Sequence, residues 1–311
     1  MASLPKCRID YGKPPFTHTG VDYFGPIDVV IFRRKVKRYG CLFTCLTTRA
    51  VHIEMAYSLE TDSFLSTLIR FENRRGVPAT YYSDNGTNFV GAKGELEDCL
   101  LKMDQQKVIE SLSLRRVKWI FNPPGAPHFG GAWESLVKSA KRALVAILSN
   151  QTLTDEVLVT ALVTVENLLN GRPLTYISND VSAPEVLTPN HLLVGRANPN
   201  MPPDVFDGCD MTSKKRWRFS QALATAFWRR WMTVFHPTMQ ERKKWAEHAK
   251  NLRVGDLVVL ADPNNPRGHW PLGRILKTFE ATDGVVRSAI VKIGSSEIHR
   301  PATKIYPLDV E

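Results

Sequence analysis

The sequence predicts an α/β fold, in which a mixed sheet flanked by helices is followed by a basic helical stretch and a small all-β domain. Three observations support this prediction. Alternating β-branched and aromatic residues fill residues 20–57, helical periodicity recurs between residues 61 and 173, and short strand patterns split by turns return after Leu252. Strands that lead into helices in this order are typical of a sheet with helices packed on it.

The first half of the chain contains five predicted strands. GVDYFGPIDVVIF, GCLFTCLT and AVHIEMAY form three consecutive strands, and the helix TDSFLSTLIRFENRRG follows and ends at a Gly ahead of a Pro. ATYYS and RRVKWIF are the fourth and fifth strands, with a helix expected between them over GELEDCLLKM. Two long helices, AWESLVKSAKRALVAILS and TDEVLVTALVTVENLLNGRP, complete this part. Cys41 and Cys45 share one strand face, where we expect them to fill the core.

The second half changes character twice. Residues 173–213 are rich in Pro, Asn and Asp, and the stretch that follows holds 11 Lys/Arg against two Glu between Lys214 and Arg253. Its apolar stripe predicts a helix. From Leu252 the short strands predict a small β-barrel. The expected segments are a lead-in (1–13), an α/β core (14–176), an irregular and basic helical linker (177–250) and a C-terminal barrel (251–311).

Charge and composition narrow the classes of function. The formal net charge is +10 and the pI is about 9.4, which suits a polyanionic partner, nucleic acid first and an anionic membrane second. The sequence contains no run of 18 apolar residues that could span a bilayer, and its first residues lack the apolar core of a secretory signal. Five cysteines without a CxxC pair argue against a disulfide framework or zinc site and fit a reducing compartment.

Three acidic residues are candidates for a shared site. Asp22 lies inside a strand pattern, where a carboxylate must be paired or bind metal. Asp84 follows another strand, and Glu134 lies near the start of a helix. Converging carboxylates suit Mg²⁺ and two-metal phosphoryl transfer. Each also has an ordinary alternative, because Asp84-Asn85-Gly86 is a good hairpin turn and an acid in a first helical turn favours the macrodipole.

Cations follow Glu134 on the same predicted helix. Lys138 and Lys141 lie four and seven positions on and share its face, and Arg142 flanks them. Glu–Lys at this spacing is also an ordinary surface pair, which contributes roughly 0.2–0.5 kcal/mol. The alternative is a face that meets DNA phosphates. His128, in the Pro- and Gly-rich loop before the helix, either orients water, contacts DNA or is merely solvated.

The motifs together resemble a known family. GVDYFGP, YYSDNGTNFVGA and WIFNPPGAPHFGGAWESLVKSAK are similar to the catalytic core of retroviral-type integrases, most of all those of BEL/Pao-type LTR retrotransposons. RPLTYISND, LTPNHLLVGR and the C-terminal strands resemble the segments beyond that core, so the resemblance covers about Pro14 to Leu308. It implies an RNase H-like fold in which Asp22, Asp84 and Glu134 bind two Mg²⁺ or Mn²⁺ ions.

The resemblance also implies an activity and partners. It predicts an enzyme that trims the 3′ ends of retroelement DNA and joins them to target DNA, as a homo-oligomer in the nucleus after a cytoplasmic phase, with no membrane partner. Lys138 and Lys141 resemble the contacts to the element's own DNA end. Asn85 and His128 occupy motif positions beside the metals, and Arg142 flanks the two lysines.

Two departures from the family keep alternatives open. The 49 residues between Asp84 and Glu134 exceed the spacing in retroviral enzymes and suggest a helical insertion. The family's N-terminal His/His/Cys/Cys zinc module has no counterpart in this sequence, so paired-end integration by this chain alone is not expected, and the chain is interpreted as a fragment of a longer protein or a derived gene. The alternatives are a non-catalytic DNA- or chromatin-binding protein derived from a retroelement, and a nuclease that only hydrolyses.

Overall fold

In the part of the chain that it describes, the computed structural model contains two five-stranded sheets, a two-stranded sheet and several helices. The residues that it describes are 7, 9–10, 12–84, 104–113, 117–122, 140–145, 147–148, 153–176, 186–197, 216–235, 251–260, 271–281 and 283–308. The chain divides into two compact units, Met1–Asn170 with Asp204–Phe227 and Gly171–Pro203 with Trp228–Glu311. The four segments predicted from composition remain a prediction.

The first unit is built on a mixed sheet, and all five strands predicted for this part are present. They are β1 (His18–Ile31), β2 (Arg34–Cys45), β3 (Val51–Ala56), β4 (Thr80–Asp84) and β5 (Lys118–Asn122). The order is β3-β2-β1-β4-β5, in which the first three strands are antiparallel neighbours and β4 runs parallel to both β1 and β5. β1 is therefore the central strand of the sheet.

Aromatic side chains join the first helix to this sheet. In α1 (Thr61–Arg75), Phe64, Leu68 and Phe71 are buried, as their helical spacing predicts. The Phe71 ring stacks on Phe43 of β2 with ring centroids 4.1 Å apart, and Phe16 meets Phe71 edge-on at 5.4 Å. Cys41 and Cys45 are buried as expected.

Two further helices lie in the first unit. They are α2 (Gln105–Ser113) and α3 (Asp155–Asn170). Acids occupy the first turn of α3, where they favour the helix dipole. The side chain of Asn170, the last residue of α3, accepts a hydrogen bond from the Val51 N–H through Oδ1 at 2.8 Å. Its Nδ2 donates to the Val51 carbonyl at 2.7 Å. This amide satisfies two backbone groups of the edge strand β3 and ties it to α3.

The second unit contains mostly short strands. β6 (Thr175–Tyr176) pairs with β7 (Val186–Leu187), and α4 (Pro189–Val194) follows. The helix α5 (Arg216–Phe235) begins in the first unit and ends in the second. The remaining elements are β8 (Leu257–Leu260), β9 (Leu272–Glu280), β10 (Val286–Ile293), β11 (Ser296–Pro301), a 3₁₀ turn (Ala302–Lys304) and β12 (Ile305–Pro307).

The sheet of the second unit is antiparallel with the order β11-β10-β9-β8-β12. Its core contains Val258, Ile275, Val291 and Ile305. Within residues 251–260, 271–281 and 283–308, no pairing joins β11 to β12, so the closed barrel is not seen there and stays a prediction. In the part of the chain that is described, no helix is both long and apolar enough to cross a bilayer.

Candidate functional site

Asp22 lies on the central strand of the first sheet. It pairs in register with Leu42 of β2, and its side chain is 24% exposed. One carboxylate oxygen, Oδ1, accepts the backbone N–H of Tyr23 at 2.9 Å, and the other, Oδ2, forms an ion pair with the Lys141 ammonium. The backbone of the strand thus fixes Oδ1, and Oδ2 pairs with a cation.

The strand register brings Asp84 to the same level as Asp22. β1 and β4 pair in parallel from His18 and Thr80 to Val21 and Ser83, and the two acids follow those last pairs by one residue. The backbone of Asp84 also pairs with Asn122 of β5. The two backbones therefore lie on neighbouring strands at one end of their pairing. The side chain of Asp84 lies outside the part that is described.

The cation beside Asp22 comes from a helical segment, residues 140–145. Ala140, Ala143 and Leu144 are buried, Lys141 is partly buried against Asp22, and Arg142 is exposed. The apolar positions hold the segment in the first unit and bring the Lys141 ammonium to the central strand. Lys141 and Arg142 thus differ in setting, since one pairs with an acid and the other faces solvent.

The other predicted site residues lie outside the described part of the chain: Asn85, His128, Glu134 and Lys138. Among the side chains that are described, no group of three His, Cys, Asp or Glu could hold a metal ion. Of the three predicted ligands, only Asp22 has a side chain in that part of the chain. The convergence of the three acids therefore stays a prediction, of which the structure shows the backbone neighbourhood of the first two.

A second polar cluster, which the sequence patterns did not reveal, lies at the β3 edge of the same sheet. We call it the β3 cluster: His52, Glu54 and Glu166, all buried, with three arginines of α1, Arg70, Arg74 and Arg75. His52 Nε2 lies 3.0 Å from Glu54 Oε1, and Nδ1 lies 3.1 Å from Glu166 Oε2. The only sequence signal was the period-2 spacing of His52 and Glu54 in AVHIEMAY.

The groups of the β3 cluster shift one another's pKa values. Burial lowers the pKa of His52, but the hydrogen bonds that the ring donates to Glu166 and Glu54 outweigh it and leave the pKa raised. Burial raises the pKa of both glutamates, and the bonds from His52 and the arginines outweigh it, so both pKa values are lowered. Arg75 Nε also lies 3.3 Å from His52 Nδ1, but a protonated Nδ1 cannot accept a hydrogen bond from the guanidinium. The shorter contact of Nδ1 with Glu166 therefore sets the protonation state of this nitrogen.

The β3 cluster is a structural brace for this sheet. Leu42 of β2 pairs with Asp22 on one side and with Ile53 on the other. His52 and Glu54 flank Ile53, whose N–H donates to Glu166 Oε2 at 2.9 Å. The charged groups thus join the edge strand to α1 and α3, two strands away from Asp22.

The chain is similar to one family model and to a chain of a solved structure. Residues 215–308 match the model of a family of unknown function (DUF5641). No curated protein matches the chain. A chain of the cryo-EM structure of the simian T-cell lymphotropic virus intasome in complex with PP2A regulatory subunit B56 gamma matches with 13% identity and a TM-score of 0.37, over 99% of this chain and 84% of that one. This likeness is too weak to indicate a shared activity.

Proposed function

We propose that this chain is the catalytic and C-terminal part of a retroelement integrase, a metal-dependent polynucleotidyl transferase that trims 3′ DNA ends and joins them to target DNA. The observation that carries the proposal is the register of β1 and β4, which sets Asp22 and Asp84 on neighbouring strands at the centre of the first sheet. An RNase H-like fold for the first unit is supported by its order of three antiparallel strands and two parallel ones.

The chemistry of Asp22 fits a hard cation. Carboxylate oxygens are the ligands that Mg²⁺ prefers, and Asp22 Oδ2 already pairs with the ammonium of Lys141. We propose that Asp22, Asp84 and Glu134 would hold two Mg²⁺ or Mn²⁺ ions. Such a pair of ions, when bound, would activate the nucleophile and stabilise the leaving 3′ oxygen.

The protein's own contribution is orientation and charge. The N–H of Tyr23 fixes one oxygen of Asp22, so this carboxylate is held by a rigid strand rather than by a loop. Lys141 compensates the negative charge of Asp22, and its long side chain can exchange that carboxylate for a DNA phosphate.

The proposed function also includes DNA contacts, self-association and a location in the cell. We assign DNA contacts to five residues: Asn85, His128, Lys138, Lys141 and Arg142. Action on paired DNA ends implies self-association of the chain and a nuclear location. The net charge of +10 supports a polyanionic partner.

The test uses the full chain with labelled element-end DNA and Mn²⁺. Asp22→Asn and Asp84→Asn should each lower strand transfer by at least about 100-fold, because a metal ligand contributes several kcal/mol to the transition state. Non-specific DNA binding should stay within about twofold, since binding comes from the cations. Asp62→Asn is the control, because that exposed carboxylate lies on α1 and pairs with Lys107. Strand transfer that survives in Asp84→Asn refutes the assignment.

The products separate the alternatives. Hydrolysed ends without joined products indicate a nuclease. Tight DNA binding with neither product indicates a non-catalytic protein derived from a retroelement.

A further inference from the structure

The hairpin formed by β1 and β2 extends beyond the rest of the first sheet. β3 pairs with β2 only from Tyr39 to Thr44, and β4 pairs with β1 only from His18 to Val21. Residues 27–38, here called the ribbon, pair with each other from Ile27–Arg38 to Ile31–Arg34. Apart from one bridge to Leu153, no other described strand pairs with them. The ribbon is thus a two-stranded projection from the sheet.

The base of the ribbon is held firmly. Val30 donates its N–H to the Leu153 carbonyl at 2.7 Å. The buried guanidinium of Arg38 forms a two-bond contact with Asp155 at the start of α3, with Nε–Oδ1 and Nη2–Oδ2 distances of 2.9 and 3.1 Å. Such bidentate pairs fix orientation as well as position. The tip of the ribbon therefore extends from a base that is fixed to Leu153 and Asp155.

The tip of the ribbon exposes an aromatic ring to water. The turn that carries this ring has an unfavourable backbone conformation. Phe32 is 97% exposed. Phe32 and Arg33 have φ values of 45° and 68°, the left-handed conformation that two-residue hairpin loops usually give to Asn and Gly. Neither L side chain favours it. Because the Phe32 ring is almost fully exposed, burial does not compensate for this conformation, and such strain concentrates at functional positions.

The cations around Phe32 are available to a partner. The ribbon contains five Lys/Arg and one acid, Asp28, which lies opposite Lys37. Arg33, Arg34 and Lys35 are exposed and enter none of the ion pairs found among the described residues. A local excess of uncompensated positive charge is complementary to a polyanion.

We propose that the ribbon is a DNA-contacting arm, in which Phe32 inserts against the bases of a duplex and Arg33, Arg34 and Lys35 bind the flanking phosphates. A two-stranded ribbon fits a DNA groove, and an apolar wedge at its tip opens a base step. Phosphate contacts release counterions and so favour binding. The inference rests on the DNA-binding part of the proposed function and does not require the three acids.

The first experiment tests the aromatic tip in the full chain, with a fluorescently labelled duplex that contains 2-aminopurine. Phe32→Ala should weaken binding about tenfold, the loss expected from one base–aromatic contact. It should also abolish the rise in 2-aminopurine fluorescence that accompanies unstacking, and Phe32→Trp should retain both. The control is Val77→Ala, another exposed apolar residue of the first unit. Unchanged affinity and fluorescence in Phe32→Ala refute the inference.

The second experiment separates local contacts from net charge. One variant carries Arg33→Gln, Arg34→Gln and Lys35→Gln. Its control carries Lys13→Gln, Lys107→Gln and Arg287→Gln, three cations that already pair with Asp10, Asp62 and Asp283. The slope of log Kd against log salt should fall by about 2 to 3 units in the first variant and by less than about 1 in the control.

Each remaining outcome has a defined meaning. Equal losses of slope in the two triple variants refute a local contact. Poly-glutamate bound as tightly as the duplex, with the same loss in Phe32→Ala, would replace DNA with an acidic protein as the partner. Strand transfer that is absent in the wild type, while the ribbon variants still bind DNA more weakly, refutes the catalytic proposal and leaves this inference intact.

Discussion

Replacing Glu166 by glutamine tests how much the β3 cluster stabilises the first unit. The buried Glu166 carboxylate receives hydrogen bonds from His52 Nδ1, from the N–H of Ile53 and from Arg75. Glutamine has nearly the same shape but no charge, and its amide nitrogen presents a donor where two cations also donate. The substitution therefore removes the charge without creating a cavity.

The cost can be worked out from these contacts. Losing the partner of a buried ion pair costs about 3–5 kcal/mol, and a hydrogen bond to a charged group contributes roughly 1.5–3 kcal/mol. The Arg75 side chain is 23% exposed, so water replaces part of its lost contact, whereas His52 is buried. We expect Glu166→Gln to lower the free energy of unfolding by about 3 kcal/mol.

The loss should depend on pH. The raised pKa of His52 stabilises the fold fully below its ordinary value of 6.5, and this contribution is lost as pH rises through the folded pKa above that value. The lowered pKa of Glu166 stabilises the fold above 4.5, and this contribution is lost as pH falls through the folded pKa below it. The difference between wild type and variant should therefore be largest between pH 4.5 and 6.5.

Urea unfolding of the full chain, followed by circular dichroism at pH 6 and pH 9, measures both effects. Glu156→Gln is the matched control, because this glutamate lies on the same helix, is 67% exposed and pairs with the exposed Arg216. Its loss should stay below about 1 kcal/mol at either pH. A loss of under about 1 kcal/mol for Glu166→Gln at pH 6, or a larger loss at pH 9 than at pH 6, would show that the β3 cluster does not hold the sheet in this way.

Two further substitutions test the packing of the sheet and the charge at Asp22. Gly40→Ala should lower the free energy of unfolding by about 1–3 kcal/mol, because an added Cβ would lie 2.0 Å from the buried Phe24 ring; an unchanged urea midpoint would contradict this packing. Lys141→Gln should tighten Mn²⁺ binding in calorimetry, since it removes the cation that competes for Asp22, and should lower the salt slope of DNA binding by about one unit. An unchanged Mn²⁺ affinity would mean that the metal does not use this carboxylate.

Local patterns predicted the elements of the first sheet well. The five strands and α1 follow from alternation, helical spacing and the Gly–Pro stop, all of which act over a few residues. Asp22 was also visible locally, because a carboxylate inside a strand pattern needs a partner. Its observed partner, Lys141, lies more than a hundred positions along the chain and was predicted only as a DNA contact.

The features that the patterns missed depend on distant contacts or on the absence of a contact. The spacing of His52 and Glu54 gave no sign that Glu166 would lie against them from α3. FRR is not a usual hairpin-turn sequence, so the position of Phe32 at an exposed tip became evident only in the structure.

The sequence by itself therefore predicted the five strands and the first helix of the first unit, where the basic charge lies and which acids are candidates for a site, but it missed β6, β7 and α4 in the stretch that was predicted to be irregular. Only the tertiary structure decided that β1 is the central strand, that Asp22 and Asp84 follow paired positions on neighbouring strands, and that residues 27–38 project from the sheet. The physical reason is range. Backbone propensity and side-chain periodicity act between neighbours along the chain, whereas strand order and ion pairing depend on which distant segments pack together.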